Sequence, residues 1–242
     1  MMLEVRDLHA FYGQSHILHG VELTVDEGEI VSLLGRNGVG RSTTCKAIMG
    51  LVPPHGVIRY RGKDIAGLRS DLVARAGIGY VPEDRLTQGL FMDRAISDNI
   101  IAGSLDRYRT RWGTMDNTKT RATIDSLFQR LRIKAPRAAA PVRALSGGNA
   151  QRVVLAKWLA IKPRILILNG PTVGVDVGSK EDILEILRTE AALGASIIII
   201  SDDVPELVAA CHRVLVVRQG RISHTLEGDD ISVDVILERM AA

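Results

Sequence analysis

A glycine-rich segment with the spacing of a phosphate-binding loop lies near the start of the sequence. It reads Gly35-Arg36-Asn37-Gly38-Val39-Gly40-Arg41-Ser42-Thr43 and stands between a predicted strand and a predicted helix. Glycines let consecutive backbone N–H groups turn onto phosphate oxygens, and the N-terminus of the following helix adds a partial positive charge. In such loops the hydroxyl that follows the basic residue, here Ser42, is a ligand for Mg²⁺. We call residues 35–43 the phosphate loop; taken alone, an ordinary structural turn is the alternative interpretation.

One position of the phosphate loop departs from the pattern GxxxxGK[ST], because Arg41 stands where the lysine belongs. Arginine keeps the positive charge and still binds phosphate. Its planar guanidinium cannot sit between the β- and γ-phosphates as a compact ammonium does. We therefore expect nucleotide binding to be retained more readily than catalysis.

Strand and helix patterns alternate along most of the chain, which predicts an α/β core. Several strands are continuously apolar, as buried parallel strands are. The predicted strands of this core are 29–34, 77–81, 164–168, 196–200 and 213–217, and the predicted helices are 41–49, 150–160, 179–193 and 204–210. An antiparallel stretch with strands at 3–9, 21–25 and 57–60 flanks the core. Strand patterns vanish over residues 96–143, where we predict an inserted helical subdomain within a single domain of residues 1–242.

The composition argues against several classes of protein. Lys plus Arg number 31 and Asp plus Glu number 28, so the net charge is only +3 and predicts no nucleic-acid partner. The basic and aromatic run at 107–112 is better interpreted as a solvated surface than as an RNA-binding strip. Cys45 and Cys211 lack metal-site spacing. The sequence start lacks the apolar region of a signal peptide, and no apolar run approaches the ~20 residues that span a bilayer. We expect a cytoplasmic protein whose membrane role depends on a partner.

A second motif strengthens the phosphate-site interpretation. The segment Leu145-Ser146-Gly147-Gly148-Asn149, here called the signature, precedes a predicted helix and then an apolar strand. This order of motifs resembles the nucleotide-binding subunit of ABC transporters over essentially the whole chain. The resemblance implies a P-loop NTPase (RecA-like) core, with ATP and Mg²⁺ as cofactors. It also implies a head-to-tail pair of subunits, in which ATP lies between the phosphate loop of one and the signature of the other. Ser146, Gly147 and Gly148 at a helix N-terminus suit a γ-phosphate approached from the partner's side.

The resemblance assigns further residues. Tyr12 stands where the family stacks an aromatic ring on adenine, although a core tyrosine is the alternative. Asp176 lies in the loop that contacts the opposite subunit. Glu83 replaces the glutamine of the family's lid loop and is, with Ser42, a candidate metal contact.

Three positions break the family pattern where catalysis needs it. In the family, one strand ends in an aspartate that orients Mg²⁺ through water, followed by a glutamate that polarises the attacking water; here these positions hold Asn169 and Gly170. Asp202 stands at the position of the switch histidine. Loss of a positioned base costs about 10²–10⁴ in rate. We expect a site that binds nucleotide and hydrolyses it poorly; the alternative is that another residue supplies the base.

The motifs point to two kinds of importer. The first 80 or so residues, including the run at 9–16, resemble ATPases of branched-chain amino-acid importers. The signature and the segments 157–159, 174–180 and 202–206 resemble the second half of tandem ATPases of ribose-type sugar importers, in which arginine is common at the position of Arg41. We predict a sugar importer subunit at the inner face of the cell membrane. Its expected partners are a nucleotide-binding subunit with complete motifs, transmembrane permease subunits and, indirectly, a solute-binding protein. The alternatives are an amino-acid importer ATPase and a non-hydrolysing regulatory or scaffold subunit.

Overall fold

The computed structural model describes residues 1–241, apart from the side chains of residues 85, 86 and 241. Its strands form two sheets. The strands are β1 Leu3–Tyr12, β2 Ser15–Val25, β3 Ile30–Leu34, β4 Pro54–Tyr60, β5 Lys63–Asp64, β6 Ile78–Val81, β7 Ile165–Asn169, β8 Ser196–Ile200, β9 Arg213–Arg218 and β10 Arg221–Glu227. The helices are α1 Arg41–Ile48, α2 Ser70–Ala76, α3 Ile96–Ile101, α4 Asn117–Arg130, α5 Gly147–Leu159, α6 Val177–Ala192, α7 Val204–Ala210 and α8 Val233–Ala241.

The larger sheet forms the centre of the molecule and has the strand order β10-β9-β3-β8-β7-β6. Every pairing in it is parallel except that of β9 with β10. All residues of β3, β7 and β8 are buried, and successive side chains enter opposite cores. Leu166 and Leu168 join the core that contains α5 and α6, whereas Ile165 and Ile167 join the core beneath the smaller sheet. Because both faces are covered, the strands are continuously apolar.

The smaller sheet is antiparallel, with the order β2-β1-β4-β5. The apolar residues of β1 that point inward, including Leu3, Val5 and Leu8, are buried against the central sheet and α1. This sheet and the parallel core together confirm the predicted α/β class and its flanking antiparallel region.

Helices replace strands in the segment 96–143, as the sequence predicted. α3 and α4 bury Ile96, Ile100, Ile124 and Leu127 in the same core as α5. Between these helices, Arg109 pairs with Met115 in an isolated antiparallel bridge. The helical content agrees with an inserted subdomain, whose boundaries stay a prediction.

Some elements differ from the sequence prediction for physical reasons. β2 begins at Ser15 rather than at residue 21, because its first half is rich in histidine and lacks the apolar alternation of a half-buried strand. α2 was not predicted from the sequence. Val73 is its one buried residue, and a helix of seven residues is too short to show a helical apolar periodicity. α5 begins at Gly147 rather than at residue 150, because the Ser146 side chain caps it. None of the helices in the described part of the chain has the length and hydrophobicity that a bilayer-spanning segment requires.

Candidate nucleotide site

The phosphate loop connects the end of β3 to the start of α1. Gly40 is the N-cap of α1, and no side chain accepts a hydrogen bond from the first turn of this helix at that cap. Backbone N–H groups at an uncapped helix start, together with the helix dipole, suit a phosphate group. The strand–loop–helix context predicted from the sequence is therefore present.

Arg41 is held by acceptors of its own chain. Its guanidinium is buried, with the side chain 7% exposed, and Nη1 donates to Asp202 Oδ1 at 2.5 Å. Nη2 donates to Asn37 Oδ1 at 2.8 Å, and Nη1 lies 3.5 Å from the carbonyl oxygen of Ser201. The residue at the phosphate-binding lysine position thus forms an ion pair with the residue at the switch-histidine position.

Asn169 ends β7 beside the phosphate loop and is buried. Its Nδ2 donates to Ser42 Oγ at 3.2 Å. Its side chain also hydrogen-bonds the hydroxyl of Tyr80, whose pKa is raised to about 12 mainly because the ring is buried. The amide therefore occupies the place predicted for it and links β7, without bringing a charge, to the Ser42 hydroxyl, which is predicted to bind magnesium.

Gly170 differs from the lost glutamate in its backbone as well as in its side chain. Its φ is +63°, in the left-handed region, and a Cβ atom there would lie 2.9 Å from Val173 Cγ2. The same Cβ would lie 3.9 Å from Glu83 Cγ, so Glu83 faces this position across the cleft. A glutamate introduced at residue 170 would meet both backbone strain and a close contact.

The oxygen donors of the site fit a magnesium ion that arrives with a nucleotide. Among residues 1–241, no group of three or more His, Cys, Asp or Glu side chains is arranged to hold a metal ion. The site offers the Ser42 hydroxyl and the exposed carboxylate of Glu83. Mg²⁺ is commonly held by one or two protein groups together with substrate phosphates and water. When bound, the ion would neutralise phosphate charge.

A cleft of about 370 Å³ unites residues from the ends of β3, β6, β7 and β8. The predicted site residues that line it are Asn37, Arg41, Ser42, Glu83, Asn169, Gly170 and Asp202. Several further lining residues had no site role predicted from the sequence, namely Thr172, Val173, Gly174, Lys180, Ile200, Ser201 and Asp203. This volume lies within the usual range for ligand pockets, roughly 300–1,000 Å³.

Lys180 and Asp203 are charged residues of the cleft for which the sequence predicted no role. The Lys180 ammonium lies 2.9 Å from the Asp203 carboxylate and 3.0 Å from that of Glu206. The hydrogen bond from Lys180 lowers the pKa of Asp203, and the hydrogen bonds to Asp203 and Glu206 raise the pKa of Lys180. The sequence did contain a signal for the position of Asp203. The spacing Asp203-x-x-Glu206 at the start of α7 is typical of a helix N-cap.

The signature is fixed within its own chain and lies outside the cleft lining. The hydroxyl of Ser146 caps α5 and accepts a hydrogen bond from Asn149 Nδ2 at 3.0 Å. Asn149 Oδ1 accepts from the backbone N–H of Lys134 at 2.7 Å. Gly148 is buried, and a Cβ there would lie 2.7 Å from Ser179 Oγ, so only glycine allows α5 to approach α6 this closely. Ser146 and Gly147 remain exposed at the helix N-terminus.

Tyr12 and Asp176 lie outside the lining as well. Tyr12 ends β1 and is 48% exposed, which excludes a core tyrosine and leaves its ring open to stacking. Asp176 caps α6 by accepting a hydrogen bond from the Ser179 N–H at 3.0 Å, and this bond lowers the pKa of its carboxyl group. Its predicted contact with an opposite subunit stays a prediction, whereas the capping role was not foreseen.

Comparison with known proteins decides the family. Residues 18–173 match the sequence profile of the family described as "ABC transporter". The chain belongs to this family. Family members bind ATP with Mg²⁺, in agreement with the cofactors predicted from the motifs.

Relatives within this ABC family carry ribose-import descriptions. The chain is 40% identical over 216 residues to the ribose import ATP-binding protein RbsA 2 of Burkholderia ambifaria, covering 89% of this chain and 43% of the relative. It is 42% identical over 219 residues to RbsA 1 of Rhizobium etli, covering 89% of this chain and 42% of the relative. The chain thus spans less than half the length of these relatives. The predicted resemblance to sugar-importer ATPases is confirmed.

The fold agrees with solved ABC cassettes. A nucleotide-free ATP-binding cassette from an ABC transporter superposes with a TM-score of 0.86 at 19% identity, covering 98% of this chain and 95% of that one. At this identity the likeness concerns the fold alone, and it confirms the predicted P-loop NTPase class.

Proposed function

We propose that the chain is the ATP-binding unit of an ABC importer that takes up a sugar. The family match and the identity of 40–42% to ribose import proteins support this proposal. The same relatives favour a sugar over the branched-chain amino acids suggested by residues 9–16. In this role the unit works at the inner face of the cell membrane with permease subunits, and a solute-binding protein acts indirectly through them. Nucleic acid has no part in it.

We further propose that the chain's own site holds nucleotide and hydrolyses it weakly. The single observation that carries this proposal is the end of β7, where the buried amide of Asn169 is followed by Gly170 in a left-handed conformation. No carboxylate is placed there to orient a metal or to polarise water. Electrostatic catalysis depends on where charge is held more than on its total, so this loss falls mainly on the rate.

The retained signature supports a division of labour between two nucleotide-binding units. Ser146 and Gly147 are exposed at the start of α5, away from the cleft of their own chain. In the proposed pair, this helix N-terminus faces the γ-phosphate held by a second unit with complete motifs. The chain then contributes to hydrolysis at a site whose phosphate loop is not its own.

A non-hydrolysing regulatory subunit is the second candidate, and the backbone of Gly170 favours it. A left-handed residue 170 disfavours any side chain there, so the lost catalytic group is not regained by one substitution without strain. Both candidates share a weak own site and differ in whether the signature activates a partner.

Steady-state ATP turnover by the purified chain tests the weak site. Full restoration of catalysis by the variant Asn169→Asp/Gly170→Glu would raise turnover at least about 10²-fold above that of the natural chain. Because a side chain at residue 170 is strained, we expect the observed gain to be about tenfold. Gly170→Ala is the matched control, since it introduces the strain without the carboxylate. Brisk turnover by the natural chain would mean that another residue supplies the base.

A further inference from the structure

Carboxylates outnumber cations in the described part of the cleft. Glu83, Asp202 and Asp203 line it together with two cations, Arg41 and Lys180. Both cations are already paired: Arg41 with Asp202, and Lys180 with Asp203. Lys180 is bound to Glu206 as well. An additional phosphate group in this cleft therefore meets cations whose charge is already neutralised.

We propose that this chain's own site selects a nucleoside diphosphate over a triphosphate, and that Asp202 is the residue responsible. The inference rests on the proposed function, since it requires nucleotide in this cleft. It names the ligand form that the weak site holds.

A diphosphate makes little demand on the Arg41–Asp202 pair. The phosphate loop offers backbone N–H groups and the uncapped start of α1, and neither depends on the guanidinium of Arg41. These groups remain available while Arg41 stays bonded to Asp202 and Asn37. A nucleotide that ends at the β-phosphate can thus bind without breaking the ion pair.

A third phosphate competes with Asp202 for the same guanidinium. Arg41 is buried and shared among three acceptors, so it cannot turn to a γ-phosphate while keeping its present partners. If it turns, the Asp202 carboxylate loses its cation and faces additional negative charge. If it stays, the γ-phosphate lacks the cation that the family's lysine supplies. The family's lysine also contacts the β-phosphate, so a diphosphate shares part of the second cost. In both cases the γ-phosphate adds a cost that the diphosphate does not bear.

The exposure of Asp202 limits the size of this effect and makes it easy to test. Its side chain is 66% exposed, so water and salt screen its charge. For the same reason, replacing the carboxylate by an amide does not threaten folding. We expect a preference of about tenfold, which corresponds to 1.4 kcal/mol.

Calorimetric titration of the full chain with ADP and with ATP, each with excess Mg²⁺, tests the proposal. We expect ADP to bind about tenfold more tightly than ATP to the natural chain, and Asp202→Asn to reduce this ratio to within threefold. Asp229→Asn is the matched control, since it removes one exposed carboxylate from a turn outside the cleft lining and should leave the ratio unchanged. Omitting Mg²⁺ should widen the ratio, because the ion screens the additional phosphate.

The outcomes of the titration distinguish a failure of the diphosphate preference from a failure of the proposed function. Equal or tighter binding of ATP to the natural chain would overturn the diphosphate preference while leaving nucleotide binding intact. A preference that survives in Asp202→Asn would overturn the role of Asp202. Failure of both nucleotides to bind would overturn the nucleotide-binding function and the inference together.

Discussion

At the scale of single residues, the two substitutions at the end of β7 differ in kind. Asn169 keeps the buried position and the hydrogen-bonding contacts of a strand end, and loses only the charge. Gly170 occupies a backbone conformation that side chains disfavour. The first change can be reversed by one isosteric substitution, whereas the second requires the local backbone to move. The proposed weak hydrolysis would therefore be harder to reverse at Gly170 than at Asn169.

The backbone of Gly170 predicts a loss of stability on substitution. Gly170→Ala should lower the free energy of unfolding by about 1–2 kcal/mol because of its positive φ, with an additional loss from the contact with Val173. Gly67→Ala is the matched control, because Gly67 has a φ of +72° and open space around its Cβ position. Urea denaturation measures both variants. An equal loss in the two would show that the Val173 contact relaxes at no cost.

At the scale of elements, helix starts carry most of the site's polar organisation. Ser146 caps α5, Asp176 caps α6 and Asp203 caps α7. Each cap satisfies a backbone N–H that the helix itself leaves unpaired. The Lys180–Asp203 ion pair then connects α6 to α7 beside the cleft. These caps position the signature and one wall of the cleft.

The α6–α7 ion pair predicts a pH-dependent contribution to stability. Asp203→Asn should lower the free energy of unfolding at pH 7 by about 0.5 kcal/mol, typical of a partly exposed pair. Because the pKa of Asp203 is lowered in the folded protein from its ordinary value of 3.8, this contribution is fully present above pH 3.8. It is lost progressively as the pH falls from about 3.8 through the lower folded value.

Urea denaturation between pH 7 and pH 3 measures the gap in the free energy of unfolding between the natural chain and Asp203→Asn. Asp229→Asn serves as the control for removal of an exposed carboxylate and should open no gap at pH 7. A gap that stays constant down to pH 3 would contradict an origin in the ionised Asp203 side chain.

At the scale of the whole molecule, the signature and the cleft are separate parts of the surface. None of the signature residues lines the described cleft. The proposed pairing with a second unit gives the intact signature a substrate and leaves the weak cleft as a holding site. If that cleft holds ADP, the proposed pair binds ATP at the other site alone.

This arrangement predicts activation of a partner. Mixing the chain with a nucleotide-binding unit that carries complete motifs should raise ATP turnover above the sum of the two alone. Ser146→Arg should abolish the increase, because the substitution removes the serine that caps α5 and the arginine side chain obstructs the exposed helix start. Thr225→Arg, at an exposed position of β10, is the control. If Ser146→Arg still activates the partner, the signature does not contribute to hydrolysis at the partner's site.

Local patterns predicted the elements wherever one pattern dominates. β8 and α7 have the predicted bounds, since the first is an uninterrupted apolar run and the second begins at a cap and a proline. The phosphate loop and Asn169 likewise lie where their motifs placed them. Observed boundaries differ from the predicted ones where the apolar pattern does not extend to the end of the element, as at the start of β2.

The sequence by itself determined the order of motifs, the family and the absence of two carboxylates at the end of β7. The tertiary structure alone decided which charges meet. Arg41 and Asp202 are 161 positions apart and form an ion pair because β3 and β8 are neighbours whose carboxyl ends share one edge of the parallel sheet. Residue spacing carries no information about that adjacency. The left-handed backbone of Gly170 was also hidden, because a glycine in the sequence permits this conformation without requiring it.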